Sequence, residues 1–331
     1  MSGPTDLAGE LHPDIEALLG MIAAGVESGA RTPLPQLTPQ AAREDFDASS
    51  PLLDLEADPL PFERAFDLPT RDGAVIAARL YAPRAPSTEG PLPVTLALHS
   101  GGFVVGSLDS HEWLWRNLAE GSGGAVLAIA YRLAPEHRFP TAFEDACDAL
   151  AWIGREGPAL GLDTGRVALC GDSAGGTLAA ALAIAARDEA GLPKPVFQAL
   201  AYPGLSSRQD TESFRRYGRG YLLEAETVAW FFAQYLRGEA DRDDWRFAPL
   251  AAPDLAGVAP ALIVLPEFDP LLDEGRAYAA RLQEAGVAAE VRVYPGMVHE
   301  FLRMCSITED ALTAQQEISR ALAQAFGKAS A

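Results

Sequence analysis

A chain of 331 residues, 48% hydrophobic and without a low-complexity tract, carries enough apolar material for one large α/β domain or two modest ones, which excludes disorder as its default state. Its formal net charge of −20 would repel phosphate backbones and anionic lipid surfaces, so nucleic acid is not an expected partner, and the scattered acidic residues read as a solvated surface. No 18-residue apolar stretch suggests membrane insertion. Cys147, Cys170 and Cys305 lack the paired spacing of a zinc site or a secreted disulfide framework, and the start "MSGPTDLAGELHPD" is unlike a signal peptide, so a reducing, cytoplasmic setting is expected.

In chain order, the first element is a helix over 13–24, where Ile15, Leu18, Leu19 and Ile22 share one face and Pro13 stands near its start. A proline-studded linker runs to about Pro61, and "AVIAARLYAP" (74–83) reads as an early strand after the "RDG" turn. Short apolar runs then alternate with helical patterns. The strands fall at 94–99, 125–132, 166–171, 196–203, 261–269 and 289–295, and the helices include 139–154, 174–190, 275–285 and 309–326. Continuous apolar strands separated by helices imply a mainly parallel sheet covered on both faces. Residues 206–250 break the alternation and read as an insertion over the sheet, with Val228, Phe231, Phe232 and Tyr235 on one helical face. Joined by the N-terminal helix, that insertion would roof a pocket beyond the carboxyl ends of the strands, although such aromatics also suit a small core of their own.

The stretch Gly171-Asp172-Ser173-Ala174-Gly175 fits G-x-S-x-G between an expected strand and an expected helix. So tight a turn forces strained backbone on the serine and leaves no room for Cβ atoms two residues to either side, which Gly171 and Gly175 respect. The hydroxyl is lifted clear of the sheet beside the unpaired N–H groups of a helix start. Taken alone, the motif is matched equally by a glycine-rich turn with an N-capping serine.

A serine nucleophile needs a base, and the base needs an orienting carboxylate. On this kind of sheet the expected order is Ser, then Asp or Glu, then His. Asp269 ends the strand "ALIVLPEFD" and His299 ends "VRVYPGMVH", so the order is met; Asp273 and Glu267 are the competing acids, with Asp273 second to Asp269. His12, His111 and His137 lie in loops or helix starts away from this edge and read as structural residues. Attack on an ester also builds negative charge on the carbonyl oxygen, and Gly101 and Gly102 after the strand "VTLALH", with Ala174, are candidate main-chain donors. Phe103, Leu222, Trp230, Phe231 and Phe301 are candidates for lining an acyl or alcohol pocket. No His-x-x-x-His or His/carboxylate cluster suggests a metal, and no G-x-G-x-x-G follows a strand, so neither metal nor dinucleotide cofactor is expected.

The pieces "HSGGF", "YRLAPEHRFPTAFEDA", "GDSAGG", "EFDPLLDEG" and "YPGMVHEF", spread over about 94–302, resemble the bacterial hormone-sensitive-lipase family of esterases. The resemblance implies an α/β-hydrolase fold: a mostly parallel central sheet, helices on both faces and a helical cap. It implies N-terminal cap helices and linker in 1–50, catalytic domain in 51–205 and 251–331, and a cap insertion in 206–250. It further implies Ser173, Asp269 and His299 as a catalytic triad, Gly101, Gly102 and Ala174 as oxyanion donors, and small-molecule esters with short to medium acyl chains as substrates. Two departures stand out: Ser100 occupies the place of a third glycine, and Glu300 replaces a commonly small residue after the histidine. Ser100 would tighten the loop or alter access for bulky alcohols; Glu300, if it points inward, would perturb His299. A homodimer paired through a sheet edge is left open. Amidase or acyltransferase chemistry would use the same groups. A binding module without turnover is the remaining rival, since plant gibberellin receptors are similar to the family but lack the histidine that this chain keeps.

Overall fold

The computed structural model describes residues 9–55, 58–86 and 90–327. Eight strands form one sheet: β1 (Phe62–Pro69), β2 (Val75–Ala82), β3 (Leu92–Leu98), β4 (Ala125–Ile129), β5 (Leu162–Asp172), β6 (Pro195–Ala201), β7 (Ala261–Phe268) and β8 (Ala289–Val298). Their spatial order is β1-β2-β4-β3-β5-β6-β7-β8, with β1 and β2 antiparallel to their neighbours and every other pairing parallel. The expected mainly parallel sheet is therefore present.

Alternation along the inner strands divides two cores. Leu96, Leu98, Leu127, Ile129, Leu169, Leu200, Ile263 and Leu265 face one side, where α4 (Thr141–Glu156), α5 (Ala174–Asp188) and α8 (Leu272–Glu284) pack. The opposite side of the same strands carries smaller residues, including Ala97, Ala128, Ala168, Cys170 and Ala199, and receives α3 (Glu112–Ser122) and α9 (Glu309–Ala325). Thus Trp115 and Phe326 fill the space that small strand residues leave. Helix α5 is buried along every residue from Ala174 to Ala186, which explains its alanine-rich sequence: larger side chains would hold it off the sheet.

Four elements depart from the sequence reading. The supposed linker contains α2 (Pro39–Leu53), started by the Thr38 side chain accepting the Ala41 N–H, and it is followed by the unforeseen edge strand β1. Helix α3 was also unforeseen. The first helix, α1 (Pro13–Glu27), runs one turn beyond its expected end. Within 206–250 the helices are α6 (Glu212–Tyr217) and α7 (Ala225–Tyr235). Among the described residues, no helix is long and apolar enough to cross a membrane.

The chain runs from β3 to β4 on one side and reaches β5 on the other, so the order reverses between β3 and β5. Leu98 pairs with Gly171 there, which sets the loop after β3 beside the turn after β5. A crevice at such a reversal, outside the carboxyl ends of the strands, is where open α/β sheets bind ligands.

Candidate active site

Ser173 leaves β5 with φ +50° and ψ −118°, a conformation strained for a residue with a Cβ, and it is held by its N–H donating to the Ala201 carbonyl at 2.9 Å. A Cβ at Gly171 would overlap the Gly175 carbonyl, and one at Gly175 would overlap the Leu98 carbonyl. Both glycines are therefore steric requirements of the turn.

From the end of β8, His299 reaches back across two strands. Its Nε2 lies 2.9 Å from Ser173 Oγ and its Nδ1 lies 2.7 Å from Asp269 Oδ2. The other Asp269 oxygen accepts the Leu271 N–H at 2.8 Å, which fixes the carboxylate after β7. The ring of Tyr202 packs 4.8 Å from that of His299, centroid to centroid. Burial alone would push the imidazole pKa down, but the Asp269 charge and hydrogen bond, with Glu300 and Asp172 behind them, raise it above its ordinary value.

The competing groups are occupied elsewhere. Glu267 accepts the Gly9 and Gly296 N–H groups, each at 3.1 Å, and so ties the N-terminal segment to β8. Asp273 accepts the Ser213 N–H at 2.8 Å and anchors α6. His12 caps α1 through the Asp14 N–H, and His137 is exposed. His111 is a hydrogen-bonded structural residue, as expected, but lies close to the site rather than away from this edge. It is buried beneath the site, with Nε2 3.2 Å from the Ser100 nitrogen and 3.4 Å from Asp172 Oδ2. No local pattern marks it, because its partners come from the ends of β3 and β5.

The loop after β3 turns through φ +113° at Gly101 and +57° at Gly102, and the Gly101 carbonyl accepts the Val104 and Val105 N–H groups. A Cβ on Gly102 would overlap the ring of Phe231, so α7 sits directly on this loop. Gly101, Gly102, Ala174, Ser173 and His299 all line one cavity of about 1310 Å³. Among the described residues, the N–H groups of Gly101, Gly102 and Ala174 donate to no protein acceptor.

Of the candidate pocket residues, Phe103, Leu222 and Phe231 line this cavity, and Trp230 and Phe301 do not. Phe301 is fully buried against Tyr202 and Tyr294, and Trp230 packs edge-on to Phe231 and against the core, because α7 turns its 231 and 232 positions inward. Much of the wall comes from Leu18, Leu19 and Ile22, on the face of the N-terminal helix expected to help roof a pocket, and from Phe46 of α2, which the sequence reading did not include. Arg43 of α2 pins the helix by donating to the Val104 and Ala134 carbonyls and pairing with Glu136. The "YRLAPEHRFP" segment is thus partly scaffold, and Arg132 within it is clamped by buried Asp145 and by Asp72.

Comparison with known proteins adds independent information. Residues 95–303 match the family model described as an alpha/beta hydrolase fold. Ethyl acetate hydrolase of Pseudomonas putida is 44% identical over 301 residues, covering 91% of this chain and 95% of that protein. This chain belongs to the hormone-sensitive-lipase family of α/β-hydrolase esterases. It is a carboxylic ester hydrolase. Solved structures of similar shape include an ester hydrolase from the metagenome of Lake Arreo complexed with a bipyridine phosphonate derivative, with TM-score 0.91, 34% identity and coverage of 96% and 100% of the two chains. The hyperthermophilic esterase of the archaeon Pyrobaculum calidifontis gives TM-score 0.89 at 37% identity, covering 95% and 98%.

The two departures from the usual pattern of these esterases now have physical readings. Ser100 is fully buried, its Oγ lies 3.0 Å from His111 Nε2, and it does not line the cavity, so it tightens the loop from beneath. Glu300 has φ +65°, in the left-handed region where glycine is favoured, and it lines the cavity next to His299.

Proposed function

We propose that the enzyme hydrolyses carboxylic esters through an acyl-serine intermediate. His299 Nε2 takes the proton of Ser173 Oγ as the new C–O bond forms, and Asp269 holds the imidazole in the required tautomer and offsets its positive charge. The negative charge on the former carbonyl oxygen is met by the N–H groups of Gly101, Gly102 and Ala174. His299 then gives its proton to the departing alkoxide, the ester C–O bond breaks, and an alcohol leaves. Water repeats the sequence on the acyl-serine, with His299 as base, and releases the acid and the free serine. The continuous contact from Ser173 through His299 to Asp269, at 2.9 and 2.7 Å, supports this reading best.

Short to medium acyl chains are the substrate class. The hydrolysis of ethyl acetate by the Pseudomonas putida relative supports the short end, and a cavity of about 1310 Å³ with mainly apolar lining supports longer acyl or alcohol groups. We assign α1, α2 and the 206–250 segment to a cap over that cavity, because Leu18, Phe46, Leu222 and Phe231 all face it. A reducing cytoplasm suits its three free thiols. The test is Ser173→Ala assayed on p-nitrophenyl acetate, where kcat should fall by about 10⁶-fold. Full activity in that variant would overturn the assignment, and a rate series on p-nitrophenyl esters of increasing length tests the substrate class.

A further inference from the structure

A second histidine–aspartate pair lies under the first. His111 opens α3 and is fully buried between Phe46 and Trp115, with ring centroids 6.4 and 5.6 Å away. Its hydrogen-bond environment fixes one tautomer. The Ser100 backbone N–H, which can only donate, points at the Nε2 lone pair at 3.2 Å, so Nε2 accepts and the neutral ring carries its proton on Nδ1. The Ser110 hydroxyl then accepts from Nδ1 at 2.8 Å while its own proton is free for the Ser107 carbonyl at 3.0 Å. The Ser100 hydroxyl oxygen lies 3.0 Å from Nε2 and is hydrogen-bonded to Asp172 as well. Asp172, the residue before Ser173, approaches the same nitrogen at 3.4 Å.

We propose that His111 is a positioning residue for ester hydrolysis, holding the loop that carries Gly101 and Gly102 in register with the turn that carries Ser173. The inference rests on the reading of Ser173 as nucleophile and of those two glycines as oxyanion donors. Ser100 is the link: its N–H lies in the peptide unit one before that of the Gly101 N–H, whose own carbonyl end is held 2.7 Å from His99 Nδ1, so anchoring the Ser100 N–H restrains the start of the loop and with it the direction of the following N–H groups. Its side chain adds a second attachment, and a glycine at this position would lack it. The surroundings keep the imidazole neutral. Burial lowers its pKa, the Arg303 guanidinium lowers it further, and the Asp172 carboxylate opposes both without prevailing. A protonated ring would lose the lone pair that receives Ser100. Donors that are aimed before reaction need no reorganisation as charge develops, and a misplacement of about 1 Å can cost on the order of 10²-fold in rate.

The experiment compares His111→Phe, which keeps a stacked ring and removes the acceptor, with His111→Gln, whose amide oxygen can replace Nε2. Substrate is p-nitrophenyl acetate, and Ser173→Ala is run beside them. His111→Phe should lose on the order of 10²-fold in kcat with KM within about twofold, because the oxyanion forms only in the transition state. His111→Gln should recover most of that loss. A kcat within about threefold of the parent in His111→Phe would overturn the proposal, as would equal impairment of the two variants. Independently of how the variants fold, 15N spectra of imidazole-labelled parent protein should show His111 protonated on Nδ1 and bare on Nε2 at pH 7. Protonation on Nε2 overturns the proposal too. Inactive Ser173→Ala with unimpaired His111→Phe refutes positioning alone, whereas active Ser173→Ala refutes the underlying mechanism.

Discussion

The two histidine–aspartate pairs of this enzyme are built from the same residue types, are equally buried, and behave oppositely towards protons. His299 touches Asp269 at 2.7 Å through Nδ1, and its pKa is raised although burial opposes this. His111 meets Asp172 only at 3.4 Å, spends Nδ1 on a serine hydroxyl, and lies near the Arg303 cation, and its pKa is lowered. Desolvation is the largest influence on both rings, so the sign is decided by how closely the carboxylate engages the ring and whether a cation stands nearby. One arrangement suits the base of the proposed mechanism, which would gain and lose a proton at each turnover. The other suits a strut that must stay neutral.

The largest expected effect breaks the first pair. Asp269→Asn leaves the shape but permits the wrong His299 tautomer, and kcat on p-nitrophenyl acetate should fall by about 10⁴-fold. A loss below about tenfold would mean that the carboxylate does not govern the base. Next comes the loop that the second pair supports. Gly102→Ala drives a Cβ into the Phe231 ring at φ +57°, and should cost on the order of 10²-fold in kcat, with partial recovery when Phe231→Ala is added. Parent-like kcat in Gly102→Ala would remove Gly102 from the donor set.

Smaller effects follow from the opposite pKa shifts. As the base must be deprotonated, kcat/KM should rise with pH along a limb whose midpoint lies above 6.5, and Glu300→Gln should move that limb to lower pH by removing a charge that raises His299. Steady-state profiles of the parent and the variant check both, and a limb that stays put in Glu300→Gln contradicts the electrostatic role of Glu300. For stability the sign of His111 is reversed. Its folded pKa lies below the unfolded one, so as pH falls below about 6.5 the unfolded chain binds a proton that the folded chain refuses, and stability drops. Thermal melts between pH 7 and 5 should therefore show a smaller decrease in Tm for His111→Gln than for the parent.

How much of this was legible in the sequence follows from where each signal resides. The inner strands were readable because they are buried on both faces and so form unbroken apolar runs. The meeting of Ser173, His299 and Asp269 could be anticipated because strand ends place them on one edge in a fixed order. Helix α2 hid because only Ala42 and Ser50 are buried in it and Pro51 interrupts its last turn, yet the Thr38-Pro39 start was available as a signal. Helix α3 carried a readable stripe in Leu114, Trp115, Leu118 and Ala119, which its short length obscured. His111 and Arg303 could not be recognised locally, since what gives them meaning is Ser100, Asp172 and Ser50, contributed by three other segments. Phe301 failed as a pocket residue because an apolar side chain beside a catalytic position faces the core as readily as the substrate.

The most direct test of the account is covalent capture of the nucleophile by a p-nitrophenyl phosphonate, followed by peptide mass spectrometry. One phosphonyl group per chain on Ser173, accumulating in step with the loss of esterase activity, is the predicted result. Complete inactivation with the label on another residue and an unmodified Ser173 peptide would contradict it.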